Sequence, residues 1–252
     1  MSSTTGFVTT VTSTGTSTGT STGTARDDVR TTAPAPVTPR QARRAERARV
    51  TAERAAALPP VPLRHARLTG AAVAVGSLSF AGSFFLVGAT PDTSLGVTVG
   101  DLMALPFQLS LVALVVHQLR TRAAGLGRGT VGFMRVELGF LALAMAWTVL
   151  HGLVPSFRDD FWLAVLDVFW PVSMLGMAVI GIKIAVAGRW RGTARAWPAV
   201  AESWAPVCIP VFGATGGAPV ADLVAGGHVL VGYVVLGLVL LRAPHLTGAR
   251  DA

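Results

Sequence analysis

The chain has 252 residues, 51% of them hydrophobic and only 13% charged, with a mean hydropathy of +0.56. Soluble domains carry about 25% charged residues, so this charge cannot coat a soluble surface and must be gathered into a few segments. The net charge of +8 comes from arginines flanking apolar stretches, which points to a membrane surface and excludes nucleic acid as the expected partner.

Residues 1–40 read as a disordered arm. Ser13–Thr24 is three copies of Ser-Thr-Gly-Thr, and Thr31–Arg40 is a Pro-punctuated linker. Such a segment has no apolar surface whose burial could offset the entropy of ordering it. Met1–Thr24 also lacks the early basic region and apolar stretch of a signal peptide. Residues 41–66 hold a basic helix, Gln41–Leu58, stopped by Pro59-Pro60, and a linker. Arginines 40, 43, 44, 47, 49, 54, 64 and 67 predict contact with anionic lipid headgroups over Arg40–Arg67, each basic side chain contributing about 1 kcal/mol near the surface.

Residues 67–241 predict an all-α, polytopic bundle of transmembrane helices, since about 20 apolar residues as helix cross a bilayer core. Five spans are clear, at about 68–89, 99–119, 132–153, 162–187 and 219–241. A sixth, 196–213, is short and carries Pro198, Pro206, Pro210 and Glu202; without it the bundle has five spans. Connections rich in arginine (Arg120, Arg122, Arg128, Arg135; Arg189, Arg191, Arg195) alternate with Ala89–Val97, which has no basic residue, and Pro155–Phe161, where Arg158 adjoins Asp159 and Asp160. Counting the sixth span brings the basic tail 242–252 to the same side as the other arginines. The expectation is a cell-membrane protein with both termini cytoplasmic. Small residues at Ala72, Gly76, Ser79, Ser83, Gly227, Gly232 and Gly237 are expected at helix contacts, and self-association into a homo-oligomer stays open.

Chemistry-bearing motifs are few. Gly127-Arg-Gly-Thr-Val-Gly132 matches a dinucleotide fingerprint literally but lacks the strand that the fingerprint requires before it, and reads as a basic turn. The lone Cys208 forms neither a disulfide within the chain nor a multi-cysteine site. His117, His151 and His228 fall at unmatched depths, so no haem, other cofactor or metal is expected. Asp101 and Asp222 are expected to cap helix N-termini. Asp167 either caps or lies within its helix. Glu137, Lys183 and Glu202 are costly inside a membrane, and a pairing of Lys183 with Glu202 or Glu137 would reduce that cost.

Three functional classes fit these observations. The preferred one is non-enzymatic: association, sensing or envelope organisation, with the N-terminal arm as the contact region. The alternative is a small-solute or proton-coupled transporter around Asp167, Lys183, Glu202 and His228, because intramembrane ionisable residues mark transport pathways. The third is an intramembrane hydrolase with Ser173 as nucleophile and His228 as base.

Overall fold

The computed structural model describes residues 38–251; the arm expected over 1–40 lies, as far as residue 37, outside them. The chain divides between Ala45 and Glu46 into two compact units. The described part of the first begins with Thr38, which opens helix α1 (Pro39–Ala56). The Gln41 side chain accepts from Thr38 N at 2.9 Å, and Gln41 N donates to Thr38 Oγ1 at 3.3 Å, so each residue satisfies the other's free backbone amide. Within the second unit, Arg49 reaches Glu46 at 3.0 Å and Glu53 at 3.7 Å. These pairs are solvent-exposed and contribute little to stability.

The second unit is a membrane-spanning helical bundle, and no strand occurs among the described residues. Its elements are α2 (Leu63–Leu86), α3 (Ser94–Arg120), α4 (Arg128–Leu153), α5 (Phe161–Asp167), α6 (Phe169–Ala187), α7 (Gly192–Ala201), α8 (Trp204–Thr215), α9 (Pro219–Val229) and α10 (Val235–Arg242). Five stretches are long and apolar enough to cross a membrane: α2, α3, α4, α5–α6 and α9–α10. A π turn, Leu230–Val234, joins α9 to α10.

The sixth expected span is a broken helix rather than a continuous one. Pro206 has no N–H to donate to Glu202 O and its ring crowds that carbonyl; α7 accordingly stops at Ala201 and α8 restarts at Trp204. The two halves still run the length of the bundle, antiparallel to α9–α10. Arg191 N donates to Leu246 O at 2.9 Å, Trp197 Nε1 to Gly232 O at 3.0 Å, and Trp204 Nε1 to Ala225 O at 3.4 Å. Beyond them, Phe212 packs on Phe84, near the end of α2.

The segments close a ring. α2 packs on α3, α3 on α4, α4 on α6, α6 on α7 and α8, and these on α9 and α10, which return to α2. Large apolar side chains such as Val75, Leu86, Phe161, Val186 and Leu223 point outward, as a bundle solvated by lipid requires. Lipid gives no hydrophobic drive for helix association, so close backbone approach carries the contacts. A Cβ on Gly237 would meet Ala74 N at 2.5 Å, and one on Gly76 would meet Pro106 O at 2.5 Å. Gly232 lies against Ala201, and Ser79 Oγ donates to Met103 O at 2.8 Å. Ala72 is exposed and Gly227 meets nothing, so these two do not mediate contacts within the bundle.

One further expectation changes. The Gly127–Gly132 segment is not a turn beyond its first residue, because α4 begins at Arg128. The chain after α10 packs back on the bundle: Arg250 N donates to Val61 O at 2.9 Å, Leu63 N donates to Arg250 O at 3.1 Å, and Thr247 and Ala249 are buried. One end of the ring is basic (Arg120, Arg122, Arg128, Arg189, Arg191, Arg242). The other is acidic, with Asp92, Asp101, Asp159, Asp160, Asp167 and Asp222 against Arg158.

Replacing Gly237 by Leu should force α2 and α10 apart and destabilise the bundle by about 1–3 kcal/mol. The single, fully buried Cys208 supplies the readout: its thiol should react with a fluorogenic maleimide at a lower temperature in Gly237→Leu than in the parent. Gly227→Leu, at a position where an added Cβ meets nothing, should leave that temperature unchanged.

Candidate functional site

Two carboxylates lie inside the ring, each against a bare glycine of α6. Ser173, Gly176, Ile180 and Gly181 all turn inward from that helix. Glu137, from α4, lies across Gly176, where any Cβ would collide with its Oε2. Its Oε1 accepts from Ser173 Oγ at 2.7 Å, and the residue is 1% exposed. Glu202, at the break between α7 and α8, lies across Gly181. It is fully buried, and its Oε1 accepts from Gln118 Nε2 of α3 at 2.6 Å. Five residues separate the two glycines, a rise of about 7.5 Å at ~1.5 Å per residue. The carboxylates are within electrostatic reach of each other.

Three polar atoms at this centre have no partner: Glu202 Oε2, Gln118 Oε1 and the Tyr233 hydroxyl. Tyr233 projects from the π turn, is fully buried, and lies within electrostatic reach of both carboxylates. Buried polar groups are ordinarily hydrogen-bonded. These groups retain hydrogen-bonding capacity that a proton or a small polar ligand could use.

Above this centre a cavity of about 310 Å³ opens at the acidic end. Its walls include Phe80, Phe84, Trp147, Trp170, Trp204 and Phe212, with Asp101 and Gln108 as polar groups. Gln108 Nε2 donates to Thr148 Oγ1 at 2.7 Å, while its Oε1 is unpartnered. Asp101 Oδ2 lies 2.7 Å from His151 Nδ1, and Trp147 stacks on that imidazole at 4.6 Å. Arg158 braces the rim by donating to His151 O and Thr98 Oγ1. Phe80 stacks on Phe107 at 4.8 Å, and Phe107 meets Tyr233 edge-on at 5.0 Å. An aromatic column thus links the cavity floor to the buried centre.

The four residues singled out from the sequence do not converge. Asp167 is exposed at the end of α5, one residue before the helix interruption at Val168, and neither caps α6 nor enters the cavity. Lys183 pairs with neither Glu202 nor Glu137, since both carboxylates take neutral partners. His228 is half-buried on α9, with Nε2 at 3.1 Å from Ser203 Oγ. Ser203 Oγ donates to Val200 O, so His228 supplies the proton of their shared bond. No hydrogen bond joins Ser173 to His228; Ser173 is occupied by Glu137 and His228 by Ser203, which removes the nucleophile–base pair on which the hydrolase reading rested. Glu202 alone of the four belongs to the centre.

Asp101 and Asp222 do not cap their helices. Thr93 caps α3, its Oγ1 accepting from Gly96 N at 3.0 Å, and Asp101 lies a full seven residues into the helix. Asp222 sits in the first turn of α9 but accepts from Ala89 N at 2.9 Å, tying down the α2–α3 connection. Sequence reasoning missed Gln118, Ser173 as a carboxylate partner, and Tyr233. Gly176 and Gly181, five apart on the helix that carries Ser173, are the signal that could have found the centre. No protein-family model matches this chain, and neither does a curated protein or a solved structure.

Replacing Glu202 separates its hydrogen-bonding role from its acidity. Glu202→Gln keeps an acceptor for Gln118 and should unfold within a few degrees of the parent. Glu202→Leu leaves the Gln118 amide unpaired and should cost about 1–3 kcal/mol, again read by Cys208 exposure on heating.

Proposed function

We propose that the chain is a proton-coupled carrier of a small amphipathic cation, resident in the cell membrane with both termini and the basic end cytoplasmic. The observation that carries this reading is the pair Glu137 and Glu202, both buried in the ring with neutral partners only. A carboxylate within a membrane is expensive and ordinarily functional, and gaining or losing one proton is the charge change open to it.

The cavity suggests the solute. Six aromatic rings and one carboxylate suit a flat or branched apolar body bearing a positive charge, which ring faces and Asp101 would both attract. A net of five negative charges at that end, six aspartates less Arg158, would raise the local concentration of cations. Helix interruptions supply places where segments can pivot. The break at Glu202–Ser203, the π turn bearing Tyr233 and the interruption at Val168 resemble the discontinuities that flank transport sites.

The association reading favoured by the sequence rests on an arm outside the described residues, and the proposed contact of Arg40–Arg67 with anionic headgroups is compatible with either role. The carrier reading is preferred because the interior holds a specific polar arrangement that association alone does not require.

Reconstitution in liposomes tests it, with ethidium as the cation and a pH-sensitive dye in the lumen. An imposed pH gradient should drive ethidium against its own gradient in the parent, and Glu137→Gln and Glu202→Gln should drop to the rate of protein-free vesicles. Asp101→Asn should weaken ethidium binding about tenfold, followed by tryptophan quenching. Transport that ignores the pH gradient, or survives both substitutions, rejects the reading. For orientation, Ala214→Cys and Ala187→Cys in a Cys208→Ala background should react with an impermeant maleimide in intact cells and only after lysis, respectively.

A further inference from the structure

The basic end carries an arrangement that the carrier reading does not use. At the turn between α3 and α4, His65, Arg120, Arg122 and Arg135 line a hollow of about 540 Å³ together with Leu58 and Val131. An adjoining hollow of about 490 Å³ adds Arg128 and Leu126. None of these four guanidiniums forms an ion pair among the described residues, which leaves their donors open to an anion.

Two local features shape the hollow for an anion. Arg122 has φ of 53°, the one left-handed non-glycine residue in the described chain, a conformation that costs about 1–3 kcal/mol for such a residue. It turns the chain sharply enough to bring Arg120 and Arg122 to the hollow that Arg135 lines from α4. The N-terminus of α4 opens beside it, where the amides of Arg128, Gly129 and Thr130 precede the first intrahelical bond, Val131 N to Gly127 O. Free amides at the start of a 26-residue helix favour a phosphate oxygen.

The hollow also continues sideways. His65 and Arg120 form a common wall with a groove of about 330 Å³ between α2 and α3, whose other sides include Leu68, Ala72, Ala113 and Val116. This groove is apolar and faces the lipid side of the ring, since Leu68 and Ala72 are exposed. His117 lines it too, 2% exposed, with Nε2 unpartnered. A charged chamber leading into a largely apolar groove has the polarity of a phospholipid and not of a free phosphate ion.

We propose that this site binds one anionic phospholipid, its phosphodiester among Arg120, Arg122, Arg135 and the start of α4, and one acyl chain between α2 and α3. His117 lines the groove beside that chain. The inference is independent of cation transport, and its arginines lie outside Arg40–Arg67, although Leu58 and His65 of that stretch line the hollow.

The test uses the full chain in detergent, with binding followed by native mass spectrometry. Dioleoyl phosphatidylglycerol, dioleoyl phosphatidylcholine and inorganic phosphate are the three probes. Phosphatidylglycerol should bind about tenfold tighter than phosphatidylcholine, and the double variant Arg120→Gln/Arg135→Gln should bring the two lipids to parity. Ala113→Trp, which fills the groove, should weaken phosphatidylglycerol while retaining whatever affinity inorganic phosphate has. Should the double variant lose Cys208 protection, Arg122→Gly removes one guanidinium while suiting the left-handed backbone, and the preference should fall with the fold intact. A parent with no preference between the lipids, or a preference untouched by these substitutions, overturns the site. Phosphate binding as tight as phosphatidylglycerol, with no response to Ala113→Trp, reassigns it to a soluble anion and overturns the lipid.

Discussion

Hydrocarbon offers no hydrogen bonds, and this constraint organises nearly every choice in the bundle. Backbone amides and carbonyls must be satisfied within helices, and wherever a helix is interrupted the loose groups must find partners in the protein. The three interruptions meet that demand differently. At Glu202–Ser203 a short turn carries the chain across the break, with Glu202 N donating to Pro198 O and both Ser203 N and Ser203 Oγ donating to Val200 O. At Val231–Gly232 the widened π turn leaves carbonyls that Trp197 Nε1 reaches from the neighbouring α7. At Val168 the chain merely bends and continues. Two of the three interruptions face each other, through Ala201 and Gly232, and it is there that the buried carboxylate and phenol emerge.

Glycine has a second use in this setting besides close helix approach. On α6 it makes space for charge-bearing groups from the neighbours, Glu137 over Gly176 and Glu202 over Gly181. A side chain at either position would evict the carboxylate from the interior. The same helix therefore serves as the wall against which the polar centre is built, although it contributes only the Ser173 hydroxyl to the chemistry. Its partners enter from α3, α4, the α7–α8 break and the π turn, so that five of the six segments in the ring meet at one spot.

The ring was legible in the sequence because hydropathy and arginine placement are long-range, additive signals: five continuous spans and a doubtful sixth follow from counting. The break in that sixth was not located from composition: Pro198 and Pro210 sit inside helices, and the interruption falls at Glu202–Ser203, ahead of Pro206. The site was much less legible. Its members sit on separate helices, and which face of a uniformly apolar helix turns inward leaves almost no periodic trace when the outward face is also apolar. Asp167, Lys183 and His228 were singled out for their chemistry, yet rotation about the helix axis sends the first to the surface and gives the other two different neighbours. Gln118 was overlooked because a neutral amide carries no alarm in a hydropathy profile, though it holds Glu202. Asp101 likewise looked like a cap until Thr93 took that role and freed it to meet His151.

The short backbone pairing between Val61–Leu63 and Arg250 has a consequence for how the bundle is assembled. Segments inserted one after another could remain a loose, two-dimensional string in the bilayer, and the pairing joins positions nearly 190 residues apart in the chain. Until α9 and α10 have been made, α2 has a neighbour on one flank only and the string is open; the Arg250 pairing then fastens the closed ring. Closure is thus a late event, and a nascent intermediate with all but its final segment inserted would expose to lipid the polar atoms that the finished circle hides. Such an intermediate differs from the completed protein in the polarity of the surface it turns to lipid.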